Sequence, residues 1–272
     1  MDQNVRIAFL GAGNMARALI GGLLAAGTPS ESLFALDAKP DMLESIGAAF
    51  GVKPLLTGAE PVDALIVAVK PVDVEKALQD ARAFIGAHTL VLSIAAGIPI
   101  RALERWLPEG CAVVRAMPNT PALIRAGISG AFATPKTSTT QRQLAERILL
   151  AAGELVWVDQ EDALDAVTAV SGSGPAYVFY LIEALEEAAM AEGLLPNEAR
   201  RLALATCAGA SRLALQSSEP PARLREQVTS KGGTTAAALA SFKADGFVEM
   251  VQRAVHSARL RARAMGEEYG AP

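Results

Sequence analysis

From residue 5 to about residue 158, short apolar runs alternate with longer stretches in which apolar positions recur at helical spacing, the form taken by repeated β-α-β units and a parallel sheet. The short runs predict strands over 5–10, 33–36, 64–69, 89–94, 112–115 and 155–158. Between them the spacing predicts helices over 15–26, 41–50, 73–85, 100–106 and 139–152. After residue 158 the strand pattern stops, and Ala/Leu-rich helical stretches run over 173–192, 197–216 and 235–265. Pro196 ahead of Asn197 suits a helix start, and the turn cluster 217–221 ends that helix. The expected architecture is α/β, a doubly wound, mostly parallel sheet over 1–160 followed by an all-helical part over 161–272.

The chain has 272 residues, which suits roughly two domains. Hydrophobic residues make up 51% and charged residues 20%, with a mean hydropathy of +0.28, a balance that excludes a disordered chain. The net charge of −4 argues against a broad basic surface for nucleic acid and leaves room only for a local basic pocket. Cys111 and Cys207 lie far apart, so neither a disulfide framework nor a C-x-x-C metal pair is expected, and a reducing, cytoplasmic setting is the simplest reading. Met1-Asp2-Gln3-Asn4 carries no basic leader, and no apolar run reaches the roughly 18 residues of a membrane span, so neither a secretory signal nor membrane insertion is expected. Stretch 173–192 is apolar almost all round, with Ala176, Val178, Phe179, Leu181, Ile182, Leu185, Ala188 and Met190. One helical domain of this size can scarcely cover it, so we expect a homo-oligomer; the alternative is a central helix inside one compact domain.

Gly11-Ala12-Gly13-Asn14-Met15-Ala16 follows the first strand and opens the first helix, the setting in which G-x-G-x-x-A reads as a Rossmann dinucleotide loop. Gly11 permits the tight turn, Gly13 lets a pyrophosphate approach the backbone, and the helix start offers free N–H groups and the positive end of its dipole. Twenty-four positions after Gly13, Asp37 ends the second strand. Its carboxylate suits the ribose hydroxyls of NADH, whereas Lys39 would attract the 2′-phosphate of NADPH, so the two residues pull in opposite directions and either coenzyme remains open. Ala68-Val69-Lys70-Pro71 and Ser93-Ile94-Ala95-Ala96-Gly97 end further strands, where open sheets bind ligands. In Met117-Pro118-Asn119-Thr120-Pro121, the Asn119 amide can bond a ligand or its own turn.

Acid and base groups are scarce. The two histidines, His88 and His256, fall outside these motifs, and residues 173–200 contain no lysine, although dehydrogenases related to the 6-phosphogluconate and 3-hydroxyisobutyrate enzymes place one on that helix. The shortage favours an imine over a carbonyl, because a protonated imine brings its own proton, although Tyr177, Tyr180 or a hydroxyl could also serve. Two Gly-rich turns precede long helices: Ser171-Gly172-Ser173-Gly174-Pro175-Ala176-Tyr177 and Thr229-Ser230-Lys231-Gly232-Gly233-Thr234-Thr235. Each suits either ordinary capping or a backbone nest for a small carboxylate, and donor density favours the nest in the second.

With these motifs in place, nearly the whole chain resembles 1-pyrroline-5-carboxylate reductase. The resemblance is carried by Gly-Ala-Gly-Asn-Met at 11–15, Ala-Val-Lys-Pro at 68–71, Ser-Ile-Ala-Ala-Gly at 93–97, Arg-Ala-Met-Pro-Asn-Thr-Pro-Ala at 115–122, Val-Ser-Gly-Ser-Gly-Pro-Ala-Tyr-Val at 170–178 and Gly-Gly-Thr-Thr at 232–235. It implies NAD(P)H-dependent reduction of a cyclic imine to L-proline, without a metal, at a pocket on a dimer interface. Gly11, Ala12, Gly13, Asn14, Met15, Ala68, Val69, Lys70, Pro71, Ala95, Ala96, Gly97 and Asn119 are the expected coenzyme residues, together with Asp37 and Lys39, whose segment varies in the family and so leaves the choice of coenzyme open. Ser230, Gly233, Thr234 and Thr235 would hold the substrate carboxylate, with Thr235 also bonding the ring nitrogen as the catalytic hydroxyl. The resemblance further implies homodimers that can assemble into decamers. Lys231 stands where the family commonly has proline, which loosens the turn and adds a charge. The rival readings are another cyclic imine, a hydroxyacid dehydrogenase and a non-catalytic dinucleotide-binding protein.

Overall fold

The computed structural model describes residues 5–56 and 58–271. The tetrapeptide Met1-Asp2-Gln3-Asn4, on which the expectation about a leader rests, lies outside them. Eight strands form one sheet in the order β3-β2-β1-β4-β5-β6-β7-β8. They are β1 (Ile7–Leu10), β2 (Leu33–Leu36), β3 (Lys53–Pro54), β4 (Ala64–Val67), β5 (Leu90–Ser93), β6 (Ala112–Met117), β7 (Gly127–Ala133) and β8 (Gly153–Trp157). All pairings are parallel except that of β6 with β7. The first six strands follow the doubly wound order whose direction of winding reverses between β1 and β4, which opens a crevice at their C-terminal ends.

Helices α1 (Asn14–Ala25), α2 (Pro40–Phe50), α3 (Val74–Asp80), α4 (Ile100–Trp106) and α5 (Thr139–Leu150) cover the sheet. Strand alternation sends Ile7, Phe9, Leu33, Ile66 and Leu92 into the core under α1, α2 and α5. Leu10, Leu65, Val67, Val91 and Val113 enter the opposite core with α3 and α4. Every residue of β1 is at most 1% exposed, and each large side chain so buried stabilises the fold by about 1.5–3 kcal/mol. Local chemistry sets the helix ends. Ser138 and Gln141 cap α5 reciprocally, with Gln141 N–H donating to Ser138 Oγ and Ser138 N–H to Gln141 Oε1. Gly51 ends α2 at φ +70°.

The later helices are α6 (Ala163–Val167), α7 (Gly174–Ala191), α8 (Pro196–Gln216), α9 (Pro221–Gln227), α10 (Thr234–Ala244) and α11 (Phe247–Gly270). A single π turn, Thr168–Gly172, joins α6 to α7. The structure falls into two compact units, Met1–Ser173 with Ala258–Pro272, and Gly174–Ser257. In the second unit α7 packs on α8, yet no residue of α7 is buried, and Phe179 and Tyr180 are 65% and 74% exposed. An apolar surface of this extent marks a surface that another molecule covers.

Several expected elements differ. The stretch 73–85 splits into a 3-10 turn, α3 and a second 3-10 turn. The run 235–265 breaks at Gly246, whose φ of +67° ends α10 before α11 begins. The cluster 217–221 leads directly into α9, because Pro221 is preset for a first helical position. Strand β7 was not expected, because its glycines weaken the strand pattern. Strand β6 runs on to Met117, two residues beyond the expected end.

Candidate active site

Gly11 leaves β1 at φ +96°, and a Cβ there would lie 2.9 Å from the Ala68 carbonyl oxygen and 3.0 Å from Val69 Cγ1. A side chain at this position would be strained by both the backbone angle and its neighbours. The Gly11 N–H donates to Leu36 O at 2.8 Å and Ala68 N–H to Leu10 O at 2.8 Å, so the ends of β2, β1 and β4 are drawn together at the reversal of strand order. Gly13 is the residue before α1 and provides no side-chain cap, and a Cβ on it would meet nothing within 4 Å. Asn14 is exposed, and Gly13 and Met15 are half-buried. Uncapped N–H groups thus face open space at a helix start that bears no carboxylate in its first turn, which fits the pyrophosphate of a dinucleotide.

Asp37 is fixed against this loop. Its Oδ2 accepts from Ala12 N–H at 2.8 Å and its Oδ1 from Lys39 N–H at 2.9 Å. A carboxylate offers about four acceptor sites, so both oxygens can still take a ribose hydroxyl. Arg17 also braces the loop, donating to Ala12 O at 3.2 Å and to Ser45 Oγ at 2.9 Å. The Lys39 side chain is exposed. Ala68 and Val69 are half-buried against the loop, Lys70 is exposed, and Pro71 starts the turn that leads to α3.

Further along the same edge, Ile94 N–H donates to Val67 O at 3.0 Å and carries the β5 end beside that of β4. Ala95 is buried, and Ala96 and Gly97 are half-buried. Gly97 has φ +76°, and a Cβ there would lie 3.0 Å from Met265 Cβ and 3.5 Å from Tyr269 Cδ2 on the last turns of α11. Arg105 of α4 donates to Gly270 O and Ala271 O, and Arg101 to Gly266 O, which ties the end of α11 to α4. At the end of β6, buried Asn119 accepts from Ile128 N–H at 2.9 Å and donates to Ser171 O at 3.1 Å, so one donor and one acceptor of its amide are occupied by the protein.

The candidate carboxylate turn lies in the second unit. Gly232 adopts φ +73°, Gly233 N–H donates to Ser230 O at 3.1 Å, and a side chain at Gly233 would collide with Ser230 Oγ. Gly233 precedes α10 without a side-chain cap, which leaves helix-start N–H groups beside the hydroxyls of Thr234 and Thr235. Thr235 is half-buried, and Ser230, Lys231 and Thr234 are exposed. His88 and His256 are both exposed. Among the described residues, no group of three or more His, Cys, Asp or Glu side chains could hold a metal ion, and no helix is long and apolar enough to cross a membrane.

Residues 161–265 match the family model described as pyrroline-5-carboxylate reductase dimerisation. Residues 6–97 match the model described as NADP oxidoreductase, coenzyme F420-dependent. A pyrroline-5-carboxylate reductase from Pseudomonas aeruginosa is 44% identical over 268 residues, covering 97% of this chain and 98% of the relative. The chain belongs to the pyrroline-5-carboxylate reductase family. Among solved structures, that of a pyrroline-5-carboxylate reductase from Coxiella burnetii has a TM-score of 0.91 at 36% identity, covering 96% of this chain and 98% of the other. A Plasmodium falciparum pyrroline carboxylate reductase solved with NADP bound has a TM-score of 0.81 at 28% identity, covering 97% and 99%. The α/β unit followed by a helical dimerisation domain is thus the pyrroline-5-carboxylate reductase fold.

Glu161 was not among the expected residues. Its Oε1 accepts from Ile100 N–H at 2.8 Å and from Arg115 Nη1 at 2.7 Å. These contacts join positions far apart in the chain, and no local motif announces them.

Proposed function

We propose that this chain reduces 1-pyrroline-5-carboxylate to L-proline, the last step of proline biosynthesis, as a homodimer that can assemble into decamers and acts in the cytoplasm. The observation that carries the reading is the uncapped start of α10, where Ser230, Thr234 and Thr235 surround free backbone N–H groups in a member of this family. A carboxylate is the group such a nest accepts, and 1-pyrroline-5-carboxylate carries one. The exposed apolar residues of α7, within the segment that matches the dimerisation model, support self-association.

Reduced nicotinamide, when bound, supplies the hydride. Gly11, Gly13 and the start of α1 take its pyrophosphate, and Asp37 takes the adenosine ribose. Ala68, Val69, Lys70 and Pro71 flank the crevice, and the small residues Ala95, Ala96 and Gly97 leave room for the nicotinamide half. Asp37 offers a fixed negative charge and acceptors, which favours the diol of NADH over a 2′-phosphate; the solvated Lys39 is the opposing charge. The substrate enters as its protonated imine. As a hydride adds to the imine carbon, the electron pair of the C=N bond moves to nitrogen, which retains its proton and is held by the Thr235 hydroxyl. Rate comes from placement, since the substrate brings the proton that a carbonyl would need from an enzyme acid.

The test is to supply purified protein with 1-pyrroline-5-carboxylate and either NADH or NADPH, follow the loss of reduced-nicotinamide absorbance and identify the product. Formation of L-proline is expected. A folded protein that binds either coenzyme yet forms no proline refutes the reading. Thr235→Ala should lower kcat at least tenfold with unchanged coenzyme affinity, and normal turnover in that variant would remove Thr235 from the chemistry.

A further inference from the structure

Segment 161–173 packs on β6 and β7 and reaches the start of α4 before α7 begins. Glu161 at its start receives the first N–H of α4, Ile100, directly after the loop 94–99, and also receives Arg115 of β6. The Arg115 side chain is 9% exposed and that of Glu161 25%. Val167 packs on Gly130 of β7, where a Cβ would lie 2.5 Å from Val167 Cγ1. Gly172 sits against Met117, whose Cε would lie 2.6 Å from an added Cβ. Ser171 O receives the Asn119 amide. The π turn that makes these last contacts possible is held by its own hydroxyls, Thr168 to Leu164 O at 2.7 Å and Ser171 to Val167 O at 3.0 Å, with Ser173 N–H donating to Thr168 O. Such turns are rare and are frequent at functional sites.

We infer that segment 161–173 is a strap that positions the two loops on the nicotinamide side of the crevice, with Glu161 and Asn119 as its positioning residues. The inference rests on the proposed reading, in which residues 95–97 border the nicotinamide; residues 117–119 follow the neighbouring strand β6 along the same edge. Loop 94–99 has α11 against Gly97 on one side, and Glu161 fixes its other end where it becomes α4. Because Arg115 stands two residues before Met117, the same carboxylate oxygen ties the end of β6 to the start of α4, where loop 94–99 ends. Neither residue needs to touch the coenzyme to fix the hydride distance.

Coenzyme binding and turnover separate this role from general support of the fold. ADP-ribose carries every group of NADH except the nicotinamide ring, so the difference between the two affinities reports the contacts of that ring, on whose side the strapped loops lie. For Glu161→Ala the expected result is an unchanged Kd for ADP-ribose, a weaker Kd for NADH and a kcat lower by roughly tenfold or more. A larger deuterium isotope effect from 4-deuterated coenzyme should accompany it, because hydride transfer then limits the rate. Glu161→Gln keeps an acceptor for Ile100 and Arg115 and should restore kcat to within about threefold of the parent. If Glu161→Ala does not fold, Glu161→Asp keeps the charge beside Arg115 but shortens its reach to Ile100 and Arg115, and the same split is expected in smaller measure. Equal losses of ADP-ribose and NADH affinity, or a folded variant with parental kcat and isotope effect, overturn the strap. A parent protein that binds NADH but makes no proline refutes the proposed function instead, while the NADH against ADP-ribose comparison still decides the strap.

Discussion

Replacing Asp37 by serine should move coenzyme choice from NADH toward NADPH by about thirtyfold. The carboxylate is fixed by Ala12 N–H and Lys39 N–H at 2.8 and 2.9 Å, so it cannot swing away from a 2′-phosphate placed at the end of β2. Two unit charges about 5 Å apart repel by about 1 kcal/mol in the aqueous limit and about 3 kcal/mol at an effective dielectric of 20. Asp37 is half-exposed, so the aqueous end applies. A phosphate close to a dianion then feels about 2 kcal/mol, or about thirtyfold in relative affinity. Serine also loosens the loop, because two bonds to a charged acceptor are lost, each worth about 1.5–3 kcal/mol. That damage falls equally on both coenzymes and cancels in their ratio. The assay is kcat/KM for NADH and for NADPH in the parent, in Asp37→Ser and in Lys39→Ala. The parent should favour NADH, Asp37→Ser should shift the ratio toward NADPH, and Lys39→Ala should shift it the other way. A parent that favours NADPH tenfold, or a ratio unmoved by Asp37→Ser, refutes the argument.

Three further outcomes concern stability and reactivity. A side chain at Gly22 would overlap the Ala151 carbonyl oxygen where α1 meets the end of α5, so Gly22→Ala should lower unfolding free energy by about 2–4 kcal/mol; a denaturant midpoint equal to the parent's would contradict this. Burial pushes the Cys111 thiol from 9.0 up to about 11 against a smaller opposing effect of Lys136, so at pH 8 its alkylation by iodoacetamide should be about a hundredfold slower than that of a thiol at 9.0. Site-resolved mass spectrometry checks this, and labelling at the rate of an ordinary thiol would disprove it. Burial also raises the Asp165 carboxyl above 3.8, with Arg115 opposing. The folded state then binds more protons between 3.8 and the raised value, so stability falls as pH rises through that window and the penalty persists above it. Asp165→Asn should therefore be the more stable form at pH 7, with the gain vanishing below pH 3.8; melting curves across that range test the sign.

The parallel half of the fold was legible because buried strands such as 64–67 and 90–92 are short apolar runs set between longer stretches with helical spacing. Strand β7 was hidden by its glycines, and those glycines are required: Gly127 lies against Ala122, and Gly130 against Val167. Packing therefore overrode strand preference there. The break at Gly246 was missed because a single glycine inside a helical pattern does not reveal its backbone angle. At the candidate site, the loop 11–15 could be read because its function is local, a turn and a helix start adjacent in sequence. Glu161 could not, since its meaning lies in joining residues 100 and 115. Asn119 stood in a recognisable motif, yet only the structure places its amide between β7 and the π turn.

The assignment of residues 258–272 to the same compact unit as 1–173 bears on how the molecule is made. On the ribosome, the coenzyme-binding unit cannot finish folding when residue 173 emerges, because Met265 and Tyr269, which cover Gly97, do not yet exist. Arg101 and Arg105 likewise await the carbonyls they will hold. The whole of 174–257 must be synthesised first. During that interval the β5–α4 loop lacks the side chains of α11 that pack on Gly97. Completion of this unit thereby becomes a late event in the life of each chain, available only to molecules translated through α11.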